Sequence, residues 1–174
     1  MGLTVNRAPQ SCEADKSSAP VPANVGFDLL PDSQVVEGRR DVAWVWLGGA
    51  TRRYPHGALG STAHAGALYV QSKAGSRTVK LELPLNRVFE DRVPRLVDLD
   101  ADGKDEIVLV ESDTLRGAAV VVFGLRDSPL RLVEIARSVF TGSTFRWLNP
   151  VGFADFDGDG KLGRVNTNPQ TFND

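Results

Sequence analysis

The chain is poor in the residues that build cross-links and transition-metal sites. Among its 174 residues there is one cysteine, Cys12, and two histidines, His56 and His64. A lone thiol excludes an internal disulfide framework and a cysteine-rich metal site. Cys12 sits in a polar stretch and reads as a bystander. No apolar run approaches the roughly 20 residues that a membrane-spanning helix needs, so no membrane insertion is expected. Charge of one sign is lacking too. Twenty basic against 22 acidic groups leave a net charge of −2, which argues against a general nucleic-acid or anionic-membrane binder. The first residues, MGLTVNRAPQ, show neither a basic-then-apolar export signal nor a myristoylation pattern. What remains is an ordinary globular composition, with 41% apolar and 24% charged residues, long enough for one real core.

Residues 1–24 are rich in Ser, Ala, Pro and charge without periodicity, and are expected to form a disordered N-terminal tail. From Val25 the chain becomes a series of short apolar runs separated by Gly, Pro and Asp: DVAWVWL (41–47), GALYVQ (66–71), TVKLELP (78–84), EIVLVE (106–111), GAAVVVF (117–123) and LRLVEIA (130–136). Two of them alternate. Val79, Leu81 and Leu83 share one face, as do Leu130 and Leu132, with Ile135 a less regular continuation. This is strand-type patterning, and no window sustains a helical period for ten residues. The fold class is therefore all-β.

An internal repeat organises the runs. AGALYV (65–70) corresponds to RGAAVV (116–121) at an offset of 51, TVKLEL (78–83) to LRLVEI (130–135) at 52, and VDLDADGK (97–104) to ADFDGDGK (154–161) at 57. Each unit would hold four strands: PRLVD leading into the acidic loop, EIVLVE leaving it, then GAAVVVF and LRLVEIA. A four-stranded antiparallel unit at this period is the signature of a propeller blade, so the expected architecture is an incomplete β-propeller of about two to three blades over 25–174. VGFDLL (25–30) is the candidate first strand of an upstream blade, and 163–174 reads as an irregular C-terminal tail.

The acidic loops carry the chemistry. In Asp98-Leu99-Asp100-Ala101-Asp102-Gly103-Lys104-Asp105-Glu106, carboxylates at positions 1, 3 and 5 converge. Gly103 supplies the turn that brings the Lys104 carbonyl round, and Glu106 at position 9 closes the cage. Hard oxygen donors in a flexible loop suit Ca²⁺, whereas Mg²⁺ demands a stricter octahedron and zinc wants His or Cys. Converging carboxylates also repel, by roughly 4 kcal/mol per pair at 4 Å and an effective dielectric near 20, and a divalent ion reverses that sign. The alternative is a solvated turn with splayed side chains. Recurrence at equivalent places in a repeat favours the ion. The loop is not an EF-hand, because position 12 is Leu109 and a strand-like run follows. The second loop offers Asp155, Asp157, Asp159 and the Lys161 carbonyl, but position 9 is Gly163, so its site should be weak or partial.

DLDADGKDEIVLV (98–110) and FADFDGDGK (153–161) resemble the FG-GAP / VCBS repeats of integrin-α-like propellers. The resemblance spans roughly 36–162 and is strong only in 93–161. It implies Ca²⁺ held between the first two strands of a blade. The ligands it implies are Asp98, Asp100, Asp102, the Lys104 carbonyl and Glu106, and less securely Asp155, Asp157, Asp159 and the Lys161 carbonyl. It further implies a periplasmic or extracellular setting and a scaffold for a protein or glycan ligand. Two other roles stay open: a fragment of a propeller-bearing hydrolase or lyase whose active site lies in missing blades, and a purely structural repeat piece. Such proteins typically close a ring of seven blades. An unclosed set leaves blade faces uncovered, so this chain is expected to be part of a longer propeller or to self-associate.

No enzymatic constellation stands out. His56, Ser61, Thr62 and His64 fall in a Gly-rich connecting loop, GGATRRYPHGALGSTAHAG, and Glu82 lies on the outward phase of its strand, leaving Glu90 and Asp91 as the nearest carboxylate pair. The chain is thus expected not to be an enzyme. Trp44 and Trp46 share a strand face and are expected to pack between blades. Trp147, with Arg146 beside it, is the candidate for stacking on a sugar or peptide.

Overall fold

A computed structural model describes residues 20–54, 63–144, 146–155, 161–162 and 164–171. The tail expected over 1–24 lies outside them up to residue 19, as do His56, Ser61 and Thr62. The described chain is all-β and antiparallel, with no helix. Its strands are β1 (Val36–Glu37), β2 (Val42–Thr51), β3 (His64–Ser72), β4 (Thr78–Glu82), β5 (Arg87–Phe89), β6 (Arg95–Val97), β7 (Glu106–Asp113), β8 (Gly117–Asp127), β9 (Leu130–Arg137), β10 (Arg146–Ala154) and β11 (Arg164–Thr171).

Two meanders follow the chain order. β1, β2, β3 and β4 pair in sequence, and so do β6, β7, β8 and β9. The short β5 joins them into one open sheet, because it pairs with the end of β7 and touches β3 through Phe89 and Ala65. The main core is shared by both meanders. Val45 and Leu47 of β2, Leu68 and Val70 of β3, Ile107 and Leu109 of β7, and Val121 and Phe123 of β8 form one buried cluster. Phe89 lies within it, edge-on to Phe123 at 6.2 Å between ring centroids. Each such side chain, taken fully from water, contributes roughly 1.5–3 kcal/mol. Leu81 and Leu83 pack on this cluster from the β4 side, as the alternation in TVKLEL requires.

The outer faces have their own cover. Trp44, Trp46 and Tyr69 lie on the far side of β2 and β3, under Val25 and Val35. Trp46 stacks on Tyr69 at 5.3 Å with an interplanar angle of 5°, and its indole N–H donates to the Phe27 carbonyl. The two tryptophans thus share a face as expected, but that face meets the N-terminal segment and not the second meander. Residues 25–30 are accordingly a strap, and the strand that opens the first meander is Val36–Glu37. Gly48 permits the strap, since a Cβ there would stand 2.3 Å from the Asp28 carbonyl oxygen. On the second meander, Val108, Val120 and Val122 are covered by Leu148 and Phe153 of β10.

Two further expectations are corrected. Ile135 is exposed, because the β8–β9 register skips it: Val122 pairs with Ala136 and Phe123 with Glu134. A bulge of this kind advances the chain one residue and flips the following side chains. The segment expected to be an irregular tail contains β11, paired along its length with β10. A two-stranded ribbon is all edge, where Pro169 is tolerated.

Candidate metal centre

The acidic loop runs from the end of β6 into β7. Its turn needs left-handed backbone at Ala101 (φ +59°) and Gly103 (φ +83°), the latter a conformation that glycine adopts without steric cost. Local hydrogen bonds then hold the coil. The Gly103 N–H donates to Asp98 Oδ2 (3.1 Å), the Asp102 N–H to Asp100 Oδ1 (3.2 Å) and the Lys104 N–H to Asp102 Oδ1 (2.9 Å). Across the mouth, the Leu99 N–H donates to Glu106 Oε2 at 2.7 Å.

This folding gathers three of the expected ligands. Asp98, Asp100 and Glu106 each present a carboxylate oxygen, and the three lie within 4.8 Å of one another. Oxygens that share a Ca²⁺ at about 2.3–2.6 Å can be no further apart than about 5 Å, so the spacing fits. Asp102 is not in the group. It is exposed and turned to Lys104, with its Oδ2 3.7 Å from the ammonium. Asp98 Oδ1 is buried and accepts no hydrogen bond. A buried carboxylate oxygen without a donor is costly, and it is the kind of lone pair that a cation satisfies. Glu106 is buried as well. Burial pushes its pKa up, the neighbouring Asp100, Asp102 and Asp98 add to the rise, and the Leu99 N–H offsets part of it. The donor set is all oxygen and fits Ca²⁺.

Of the second loop, Asp155 and Lys161 are described and exposed, while Asp157 and Asp159 lie outside the described residues. The loops meet where the Leu162 N–H donates to the Leu99 carbonyl at 2.7 Å.

Sequence reasoning missed the partners that come from the first meander. Arg40, in the turn between β1 and β2, places its Nε 3.3 Å from Asp98 Oδ2 and a second guanidinium nitrogen 3.1 Å from Asp105 Oδ1. The Arg40 N–H donates to Asp105 Oδ2 (2.8 Å), and the Asp105 N–H donates to Asp41 Oδ1 (2.7 Å). No local signal marks them, since Arg40 and Asp105 are 65 positions apart. A cleft of about 460 Å³ opens beside this junction, lined by Glu37, Arg39, Arg40, Asp98 and Asp105 among others.

The other residues singled out as candidates sit elsewhere. His64 is not in a loop. It begins β3, is buried, and has Nε2 3.3 Å from Glu90 Oε2. Asp91 is buried on Arg95 and the Val110 N–H. Glu82 is exposed beside Lys80, as expected.

No curated protein and no solved structure matches the chain. A family model does, and its limits fall on the loops just described: residues 98–162, from the first acidic loop through most of the second, match the model of an FG-GAP-like repeat.

Proposed function

We propose that the chain is a calcium-binding module of the β-propeller type, serving as a non-enzymatic scaffold for a protein or glycan partner. In this reading β1–β4 and β6–β9 are two blades facing each other across the shared core, and β10–β11 begin a third. The observation that carries the reading is the Asp98 carboxylate: one oxygen buried without a hydrogen bond, in a cage of oxygens at the opening of the matched repeat.

The ion would be held by Asp98, Asp100 and Glu106, with Asp102 and the Lys104 carbonyl as further oxygen donors from the same coil. Its chemistry here is charge neutralisation. Asp98 stands at the loop's entrance and Glu106 opens β7, so holding both oxygens fixes the path from β6 into β7. Glu106 already restrains Leu99, and Leu99 packs against the buried Val108, Val120 and Val122 of β7 and β8. The ion is therefore structural, and for a module of extracellular type its dissociation constant would be about 10⁻⁴ to 10⁻³ M. The charged cleft beside the loop suits a polar partner. Calorimetric titration of the chelator-treated chain with calcium tests the reading. Saturable heat with a rise in melting temperature supports it, and neither effect at several millimolar calcium refutes it.

A further inference from the structure

We propose that Arg40 is a resident counter-cation of the acidic loop, which holds the metal-free loop together and sets how tightly calcium binds. The inference rests on the calcium reading above and goes beyond it, because Arg40 lies outside both the loop and the matched repeat.

The two oxygens of Asp98 have different partners. Oδ2 is engaged by Arg40 Nε at 3.3 Å and by the Gly103 N–H at 3.1 Å. Oδ1 is buried and has no hydrogen bond. The guanidinium therefore does not occupy the oxygen left for an ion, and its influence on ion binding is electrostatic. It is also fixed in place. Asp105, with its side chain 2% exposed, holds both the Arg40 guanidinium and the Arg40 backbone N–H. The surrounding turn is pinned further by Asp41, whose side chain accepts from the Asp105 N–H and whose carbonyl accepts from the Lys73 N–H at 2.9 Å.

Two consequences have opposite signs. Without metal, the guanidinium offsets repulsion among Asp98, Asp100 and Glu106 and compensates the buried Asp105, so it stabilises the loop. With metal, the same positive charge repels the ion. A unit charge roughly 6 Å from a divalent ion changes its affinity by about tenfold at the dielectric of water and low ionic strength, the condition for the test. Because Arg40 belongs to the first meander and Asp98 to the second, the calcium threshold is tied to how these two sheets meet.

The test uses the full chain, with calcium itself as the probe, in wild type, Arg40→Gln and Arg40→Lys. Arg40→Gln should bind calcium about tenfold more tightly and melt at a lower temperature in chelator. Arg40→Lys keeps the charge and should bind within about threefold of wild type. A merely structural Arg40 would lower the metal-free melting temperature without tightening calcium. Unchanged or weaker binding by Arg40→Gln, with wild type binding normally, overturns this inference alone. Calcium heat in none of the proteins overturns it together with the calcium reading. If Arg40→Gln does not fold, Arg40→Met retains the aliphatic stem and carries the same expectation.

Discussion

At the far end of β7, Glu111 and Asp113 are wrapped in guanidinium groups; at the near end, Asp98, Asp100 and Glu106 converge chiefly on one another. Glu111 is fully buried, with Oε1 3.1 Å from Arg87 and Oε2 2.9 Å from Arg137. Asp113 accepts from Arg116 at 2.8 Å and from the Leu115 and Arg116 N–H groups. The Phe140 ring lies beneath Arg87, Arg116 and Arg137, with the Arg116 guanidinium 4.1 Å from its centroid. These carboxylates are compensated within the protein. Burial raises the pKa of Asp113, but the Arg116 side chain and the backbone donors outweigh it and hold the carboxyl below its ordinary value. The near end has Arg40 and Lys104 against a larger set of acids, and there burial and like charge push Glu106 up. The two ends of β7 thus adjoin one acidic cluster compensated within the protein and one whose carboxylates could hold a metal ion.

The largest expected effect is at the compensated end. Glu111→Ala removes the buried carboxylate that Arg87 and Arg137 share, leaving them Asp113 and Glu134, and should cost about 3 kcal/mol in urea unfolding. The loss should be the same with calcium or chelator, and a cost below about 1 kcal/mol would remove the claim that this cluster is self-sufficient. Asp100→Ala at the near end should behave in the opposite way. Asp100 is exposed, so in chelator the change should stay within about 0.5 kcal/mol. With calcium at ten times the dissociation constant, the variant should lack the roughly 1.4 kcal/mol that the bound ion supplies to wild type.

Acid should separate the ends further. A carboxyl with a depressed folded-state pKa contributes stability that is present above its unfolded value, here 3.8, and is lost as pH falls through the lower folded value. Asp113→Asn should therefore flatten the fall in unfolding free energy below that pH, read from urea titrations in chelator. An unchanged acid slope would show that other groups carry it. The smallest effect is expected for Asp157→Ala, in the loop that ends on Gly163. A loss of calcium-dependent melting temperature equal to that of Asp100→Ala would refute the ranking of the two loops.

How far the sequence foretold this arrangement depended on whether the relevant interactions were local. Alternation in TVKLEL put Leu81 and Leu83 on the core, and the spacing of Asp98, Asp100 and Glu106 brought their oxygens together, because both are properties of a few consecutive residues. The repeat offset likewise led to the segment that the family model matches. Phase was misjudged at Ile135: its three-residue step from Leu132 breaks the two-residue period, and the β8–β9 bulge leaves it unpaired on the outer side. His64 read as loop because the Gly-rich run before it masks the strand start, and its burial depends on Glu90 and Tyr54, which folding brings beside it. The strap over Trp46 and the Arg40–Asp105 junction are also long-range, and a single sequence does not mark such partners.

The most direct test of the central claim is where an ion sits. Diffraction from crystals grown in several millimolar calcium, collected for anomalous signal, should reveal a peak about 2.3–2.6 Å from oxygens of Asp98, Asp100 and Glu106. A well-ordered loop under the same conditions, with those carboxylates gathered and no peak between them, would contradict the account.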